Sequence, residues 1–155
     1  MGRIDDRLRQ LGLELPNVTV PVANYVPWVR TGALLFISGQ ITLGPDKSLQ
    51  YVGTIGKEFG VEEGRQAARL AAINVLAAAR NALDGDLARV VRVVKVTGFV
   101  NAIPGFAQHP EVVNGASDLF VEVFGDAGRH ARAAVGASSL PRGVAVEVEA
   151  IFEVM

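Results

Sequence analysis

Apolar and polar residues recur with two different periods along this chain. In "VAVEVEAIFEV", residues 144–154, Val144, Val146, Val148, Ala150, Phe152 and Val154 take every second position, and Ala145, Glu147, Glu149, Ile151 and Glu153 fill the places between. A period of two belongs to a strand with one face on a core and the other turned away. Residues 61–83, "VEEGRQAARLAAINVLAAARNAL", instead hold strong helix formers, and "DGD" at 84–86 predicts their end. Pro110 opens a second helix whose stripe of Val112, Val113, Ala116, Leu119, Phe120 and Val123 runs to Phe124-Gly125. Ile4, Leu8 and Leu11 predict a short first helix ending at Gly12.

The remaining segments read as strands. "NYVPWV" and "ALLFISGQI" are separated by a turn at Thr31-Gly32, with Pro27 marking the first as an edge or irregular strand. A polar turn, "TLGPDKSLQ", leads to a short strand near Tyr51. "VVRVVKVTGFVN" is β-branched enough for a central strand, with Val90, Val94, Val96 and Val100 expected on one face, interrupted by Arg92 and Gly98. A strand over residues 131–137 and a turn at 141–143 precede the last strand. The order is β-β-β-α-β-α-β-β: an α+β fold with a sheet of about six strands and both long helices on one face. One domain is expected over residues 1–155, with 1–16 as an N-terminal helical extension.

Composition narrows the function classes. Cysteine is absent, which removes disulfides, thiolate catalysis and cysteine-ligated metals. Fifteen basic against sixteen acidic residues, a net charge of −1, provide no field to gather nucleic acid. No signal-peptide core or membrane-length apolar run is present, so a cytoplasmic address is expected. Asp6 stands where a myristoylation signal needs Ser or Thr. "GTIGKEFG" from Gly53 is too short for a phosphate loop, with Glu58 where a magnesium-binding hydroxyl belongs. His109 and His130 lack a second ligand at a metal spacing, and Ser38 lacks a nominated histidine partner. Asn74, mid-helix among alanines, reads as a buried amide tied to a neighbouring backbone.

The acidic side of the last strand admits two readings. Glutamates there suit a solvated face. Ile151 among them, and the small residues of 132–139, suit a face covered by another copy of the chain.

The run A-R-x-x-V-G-x-x-x-L-P-x-x-x-x-V-E-V-E-A-I, from Ala131 to Ile151, resembles the signature of the Rid family, the YjgF-like reactive-intermediate deaminases. "SGQI" at residues 38–41, Tyr25 upstream of it, and "GFVNAIPGF…VVNGASDLF" agree, so the resemblance covers most of the chain from Tyr25 onward. It implies a chorismate-mutase-like fold, a homotrimer, and clefts between subunits that bind small carboxylates. The implied reaction is hydrolysis of enamines and imines such as 2-aminoacrylate to 2-keto acids and ammonia, without metal or organic cofactor. Carried over by position, the catalytic residues are Arg132 and Glu147, and the substrate-binding residues are Tyr25, Gly39, Asn114 and Ala134.

The chemistry suits those residue types. An imine carbon is already electrophilic, so hydrolysis needs orientation and a placed water more than a strong nucleophile. Arg132 offers a planar fork for the substrate carboxylate, Glu147 a base for the water and an acid for the departing amine, and amides near Gly39 and Ala134 further donors. Structural alternatives stand beside these roles: an ion pair from Arg132 to a glutamate across a subunit interface, and an interface wall for Tyr25. The chain departs from the family pattern at Ala134, where a cysteine is common, at His130, where a proline is, and at Gly136 in place of an acid. Its longer N-terminus and longer segment after "SGQI" resemble a divergent subgroup. A non-catalytic carboxylate-binding or regulatory trimer, and a structural or chaperone-like oligomer, are the competing classes. A ribonuclease would want a basic groove and stacking aromatics.

Overall fold

The computed structural model describes residues 2–18 and 21–155; Met1, part of the expected N-terminal extension, lies outside them. In chain order the elements are α1 (Arg3–Gln10), β1 (Trp28–Thr31), β2 (Leu34–Gln40), α2 (Val61–Ala82), β3 (Val90–Asn101), α3 (His109–Phe124), β4 (Ala131–Ala137) and β5 (Val146–Val154), with short 3-10 turns before β3, after α3 and before β5. The strands form one sheet in the order β1-β2-β5-β3-β4. All neighbours are antiparallel except β3 and β4, which are parallel and joined through α3. Among the described residues no helix is long and apolar enough to cross a membrane.

The sheet has five strands, where about six were expected. The missing strand is the one read near Tyr51. Lys47 and Tyr51 hold positive φ angles of 66° and 51°, and Gly53 and Gly56 hold 156° and 94°, so the chain turns repeatedly and leaves only isolated bridges such as Val52 to Val144. The first strand is also shorter than its apolar run. It begins at Trp28, directly after Pro27, and is an edge strand, as a residue without an amide hydrogen requires.

Both long helices lie on one face. The β5 row Val146, Val148, Ala150, Phe152 and Val154 is buried beneath them, and Phe152 meets Phe120 and Phe124 of α3 edge to face at 6.0 and 6.2 Å. Helix α2 presents alanines, of which Ala67, Ala68, Ala71, Ala72 and Ala79 have no exposed surface. The two helices pack closely because Gly115 of α3 sits against the backbone of α2, where a Cβ would come within 1.9 Å of the Arg65 carbonyl oxygen. Asp84 and Gly85, at φ 55° and 92°, end the α2 region where "DGD" predicts it. Asn74 donates to the carbonyls of Ile41 and Leu43 at 3.1 and 3.0 Å, the tied amide expected of it. Helix α1 buries Ile4 and Leu8, and its Arg7 Nε donates to the Glu122 carbonyl at 2.6 Å, which fastens it to α3.

One expected face is corrected. On β3 the residues under the helices are Val93, Val96 and Val100, and Val94 is only half-buried. A shift of register against β5 between Val93 and Lys95 inserts one residue and exchanges the faces of Arg92 and Val93, and a second shift between Val90 and Arg92 restores them, so Val90 pairs with the buried Val154 on the expected face.

Candidate functional site

Residues directly opposite one another across strands share a face, so the register assigns each candidate to a side of the sheet. Arg132 on β4 pairs with Val96 on β3, and Val96 with Ala150 on β5; both partners are buried under the helices. Arg132 therefore leaves the sheet on the helix side, at the edge strand. Its Nη1 donates to Asn114 Oδ1 at 2.7 Å and to Ser117 Oγ at 3.2 Å, both on α3. Asn114 and Ser117 are three apart, hence neighbours on one helix face.

A second layer stands behind this clamp. Ser117 Oγ lies 2.9 Å from His130 Nε2, and His130 Nδ1 lies 2.6 Å from the Gly128 carbonyl oxygen. A carbonyl only accepts, so Nδ1 carries the proton, Nε2 keeps its lone pair, and the Ser117 hydroxyl donates to it. Burial holds the His130 imidazole below its ordinary range, with the Arg132 charge acting in the same direction against the favourable Gly128 bond. The ring stays neutral, packed edge to face on Phe120 at 6.0 Å.

Arg132 makes no ion pair among the described residues, and its hydrogen bonds use Nη1 alone. Both Nη1 protons are thus committed, and the edge formed by Nε and Nη2 is the fork left for a carboxylate. Ala134, two residues on, shares the Arg132 face on β4, whose outer side has no neighbouring strand.

Glu147 lies elsewhere. It pairs with Phe99, and Phe99 with Val135, which is 43% exposed, so this row faces away from the helices. Gly39 is its neighbour: a Cβ there would stand 2.5 Å from Glu147 Oε1, so the absence of a side chain is what leaves room for the carboxylate. The register between β2 and β5 shifts between Ile37 and Gln40, and this irregularity brings Gly39 over Glu147. Tyr25, 58% exposed, precedes a segment fastened next to Gly39, because the Val26 carbonyl accepts from Ser38 Oγ at 2.6 Å and the Pro27 carbonyl from Ser38 N at 3.0 Å. Burial raises the Glu147 carboxyl above its ordinary value, with the Glu149 charge adding to it.

The candidate residues therefore fall into two groups. Asn114, Arg132 and Ala134 form one; Tyr25, Gly39 and Glu147 form the other. Two strand spacings of about 4.8 Å and three residues of about 3.3 Å separate Arg132 and Glu147 by roughly 14 Å between Cα atoms, on opposite faces. Sequence reasoning did not nominate Ser117, and took His130 only as a departure from the family pattern lining the presumed cleft, without a role. The signals were present: Ser117 follows Asn114 by three positions, and His130 precedes Arg132 by two on the same extended segment.

The open face carries exposed apolar side chains. One row across all five strands reads Val29, Phe36, Ile151, Lys95 and Ala131, with Val29 52% and Phe36 40% exposed. A shallow cavity of about 400 Å³ lies on it, lined by Val29, Phe36, Lys95, Glu149 and Ile151 among others.

The fold and the signature residues agree with a known family. A family model described as "YjgF/chorismate mutase-like, putative endoribonuclease" matches residues 5–152. The chain belongs to this YjgF-like, or Rid, family. It is 46% identical over 153 residues to Protein TCP17 of Trypanosoma cruzi, covering 98% of this chain and 94% of that protein. Among solved structures it resembles Atu1372 of Agrobacterium tumefaciens, a protein of unknown function, at 43% identity and a TM-score of 0.89, covering 98% and 93% of the two chains. It also resembles E. coli TdcF, solved with bound serine, at 25% identity and a TM-score of 0.61, covering 90% and 93%.

Proposed function

We propose that this chain is an enamine/imine deaminase, hydrolysing 2-aminoacrylate-type intermediates to 2-keto acids and ammonia in clefts between the subunits of a homotrimer, in the cytoplasm. The observation that carries the reading is Arg132: a guanidinium at a sheet edge, held by two neutral acceptors, with no carboxylate partner among the described residues and its Nε/Nη2 fork unused there. A cation kept in that state is prepared for an anion from outside. The neighbour TdcF, solved with serine, supports a small amino-carboxylate as the class of ligand.

The geometry supports a site shared between subunits. Arg132 and Glu147 of one chain cannot grip one three-carbon substrate across about 14 Å and through a sheet. A cleft that uses both takes Arg132, Asn114 and Ala134 from one subunit and Tyr25, Gly39 and Glu147 from the next. The apolar open face supplies the surface that holds the subunits together.

The reaction then runs in balanced steps. The enamine takes a proton from solvent at its terminal carbon and becomes the iminium, while Arg132 holds the carboxylate. Glu147 takes a proton from water as the oxygen bonds to the iminium carbon, the C=N electron pair moves to nitrogen, and Glu147 passes that proton to the nitrogen. Proton transfer from the new hydroxyl, assisted by Glu147, forms the keto group as the C–N bond breaks and ammonia leaves. The upward shift of the Glu147 carboxyl, caused first by burial, suits a group that both takes and returns a proton. Assistance of this kind is worth about a hundredfold to ten-thousandfold.

The endoribonuclease in the family description finds less support here. Glu147, Glu149 and Glu153 share the open face with Lys95 and Arg92, so that face carries no excess of positive charge for a phosphate backbone. The test is loss of 2-aminoacrylate generated in situ. Wild type should accelerate it, and Arg132→Ala should lower kcat/KM by at least about tenfold. Equal rates for the two proteins would remove the role of Arg132. Tight binding of 2-keto acids without acceleration would make the chain a non-catalytic carboxylate-binding trimer.

A further inference from the structure

Arg132 is a flexible side chain at an edge, yet the proposed reaction needs one edge of its guanidinium turned to the cleft. Two acceptors on α3 fix Nη1, and they differ in kind. Asn114 Oδ1 is an acceptor whatever its surroundings. The Ser117 hydroxyl is a rotor, and presents lone pairs to Arg132 only if its proton is held elsewhere. His130 holds it. The Gly128 carbonyl fixes the proton on Nδ1 and so leaves Nε2 as the acceptor for Ser117.

We propose that His130 and Ser117 form a relay that aims Arg132, with His130 a positioning residue for the carboxylate subsite although it touches no substrate. The chain Gly128 O, His130, Ser117, Arg132 Nη1 has one consistent direction of proton donation, and each link fixes the next. The consequence is specific: the substrate carboxylate binds side-on, to Nε and Nη2. The groups facing the imidazole are Ser117 and Phe120 from α3, Gly128 from the preceding turn and Arg132 from β4, the last being the charge that acts on it. That charge favours the neutral ring on which the relay depends.

The inference rests on the carboxylate-binding reading, and its test separates the two. Pyruvate binding would be measured by calorimetry for wild type, Ser117→Ala, His130→Phe, His130→Gln and the Ser117→Ala/His130→Phe pair, with steady-state kcat and KM on the in situ imine. Loss of one hydrogen bond to the guanidinium should weaken pyruvate about fivefold to tenfold in Ser117→Ala and in His130→Phe, raising KM more than it lowers kcat. The double variant should lose no more than either single one, as members of one relay do. His130→Gln, whose carbonyl oxygen can accept the Ser117 proton, should stay within about twofold of wild type. A nitrogen-15 spectrum of the imidazole should show the Nδ1-protonated tautomer, with the Nε2 resonance moving in Ser117→Ala. Wild-type affinity in both Ser117→Ala and His130→Phe, while Arg132→Ala abolishes binding, would overturn the relay and leave the site intact. Full additivity of the two losses, or an Nε2-protonated ring, would also overturn it. Failure of wild type itself to bind pyruvate would overturn the functional reading, and the relay with it. Should His130→Phe fold poorly, Ser117→Ala and the tautomer decide the matter.

Discussion

Gly39→Ala separates the fold from the chemistry. The added Cβ would stand 2.5 Å from Glu147 Oε1, 3.1 Å from Cδ and 3.4 Å from Cγ. Cγ is already at ordinary contact distance, so only the carboxylate head has to swing aside. Restoring a contact of about 3.4 Å moves Oε1 by roughly 0.9 Å. The cost to stability is small. Gly39 does not hold a positive φ, so alanine gains about 0.4–1 kcal/mol by restricting the unfolded chain. A displaced glutamate rotamer costs about 0.5–1.5 kcal/mol, and the two terms nearly cancel. Catalysis is less forgiving, since a displacement near 1 Å costs on the order of a hundredfold. The expected variant therefore unfolds in urea within about 1 kcal/mol of wild type but loses about tenfold to a hundredfold in kcat on the in situ imine. Full kcat with unchanged stability would refute the placement of Glu147 as the water-handling group. A loss of more than about 3 kcal/mol would refute the claim that only a flexible head stands in the way.

Three further outcomes follow from the same geometry. Arg132→Lys keeps the charge but not the planar fork, so KM for carboxylate imines should rise about tenfold to a hundredfold in steady-state assays; an unchanged KM would contradict the bidentate contact. Glu147 is held above its ordinary value of 4.5, so its folded form keeps a proton that the unfolded chain has released. Its contribution to stability is complete below about 4.5 and is lost as pH rises through the raised folded value, and Glu147→Gln should remove both that slope and the acidic limb of kcat; a slope that survives in the variant assigns it to another group. Phe36→Glu places a charge in the row between Val29 and Ile151 and should dissociate the trimer in sedimentation with loss of activity, whereas an intact, active trimer would contradict the open face as the interface.

The legible parts of the sequence were those where one period ran unbroken. β5 could be read residue by residue because no bulge interrupts its alternation, and its buried row is the one predicted. β3 has equally suitable residues, yet the inserted residue between Val93 and Lys95 exchanges faces, and nothing in a run of valines marks where. The segment around Tyr51 carried apolar residues without a strand, because positive φ angles at Lys47 and Tyr51 answer to packing rather than to local preference. The site divided in the same way. Arg132 and Glu147 were nominated from the signature, but their separation on opposite faces required the register and the sheet order, which places β3 between β4 and β5. His130 looked like an isolated histidine because its partner, Ser117, comes from the preceding helix.

The central claim is that each cleft joins Arg132 of one subunit to Glu147 of another, and subunit mixing tests it directly. Arg132→Ala and Glu147→Gln would each be purified, shown to be inactive alone, then unfolded together in equal amounts and refolded. If the two groups come from neighbouring chains, a cleft is complete whenever a Glu147→Gln subunit supplies the arginine and an Arg132→Ala subunit supplies the glutamate, which random assembly gives in about one quarter of clefts. The account predicts recovery of about a quarter of wild-type activity. A mixture as inactive as its parents, with mixed trimers verified by mass, would contradict it.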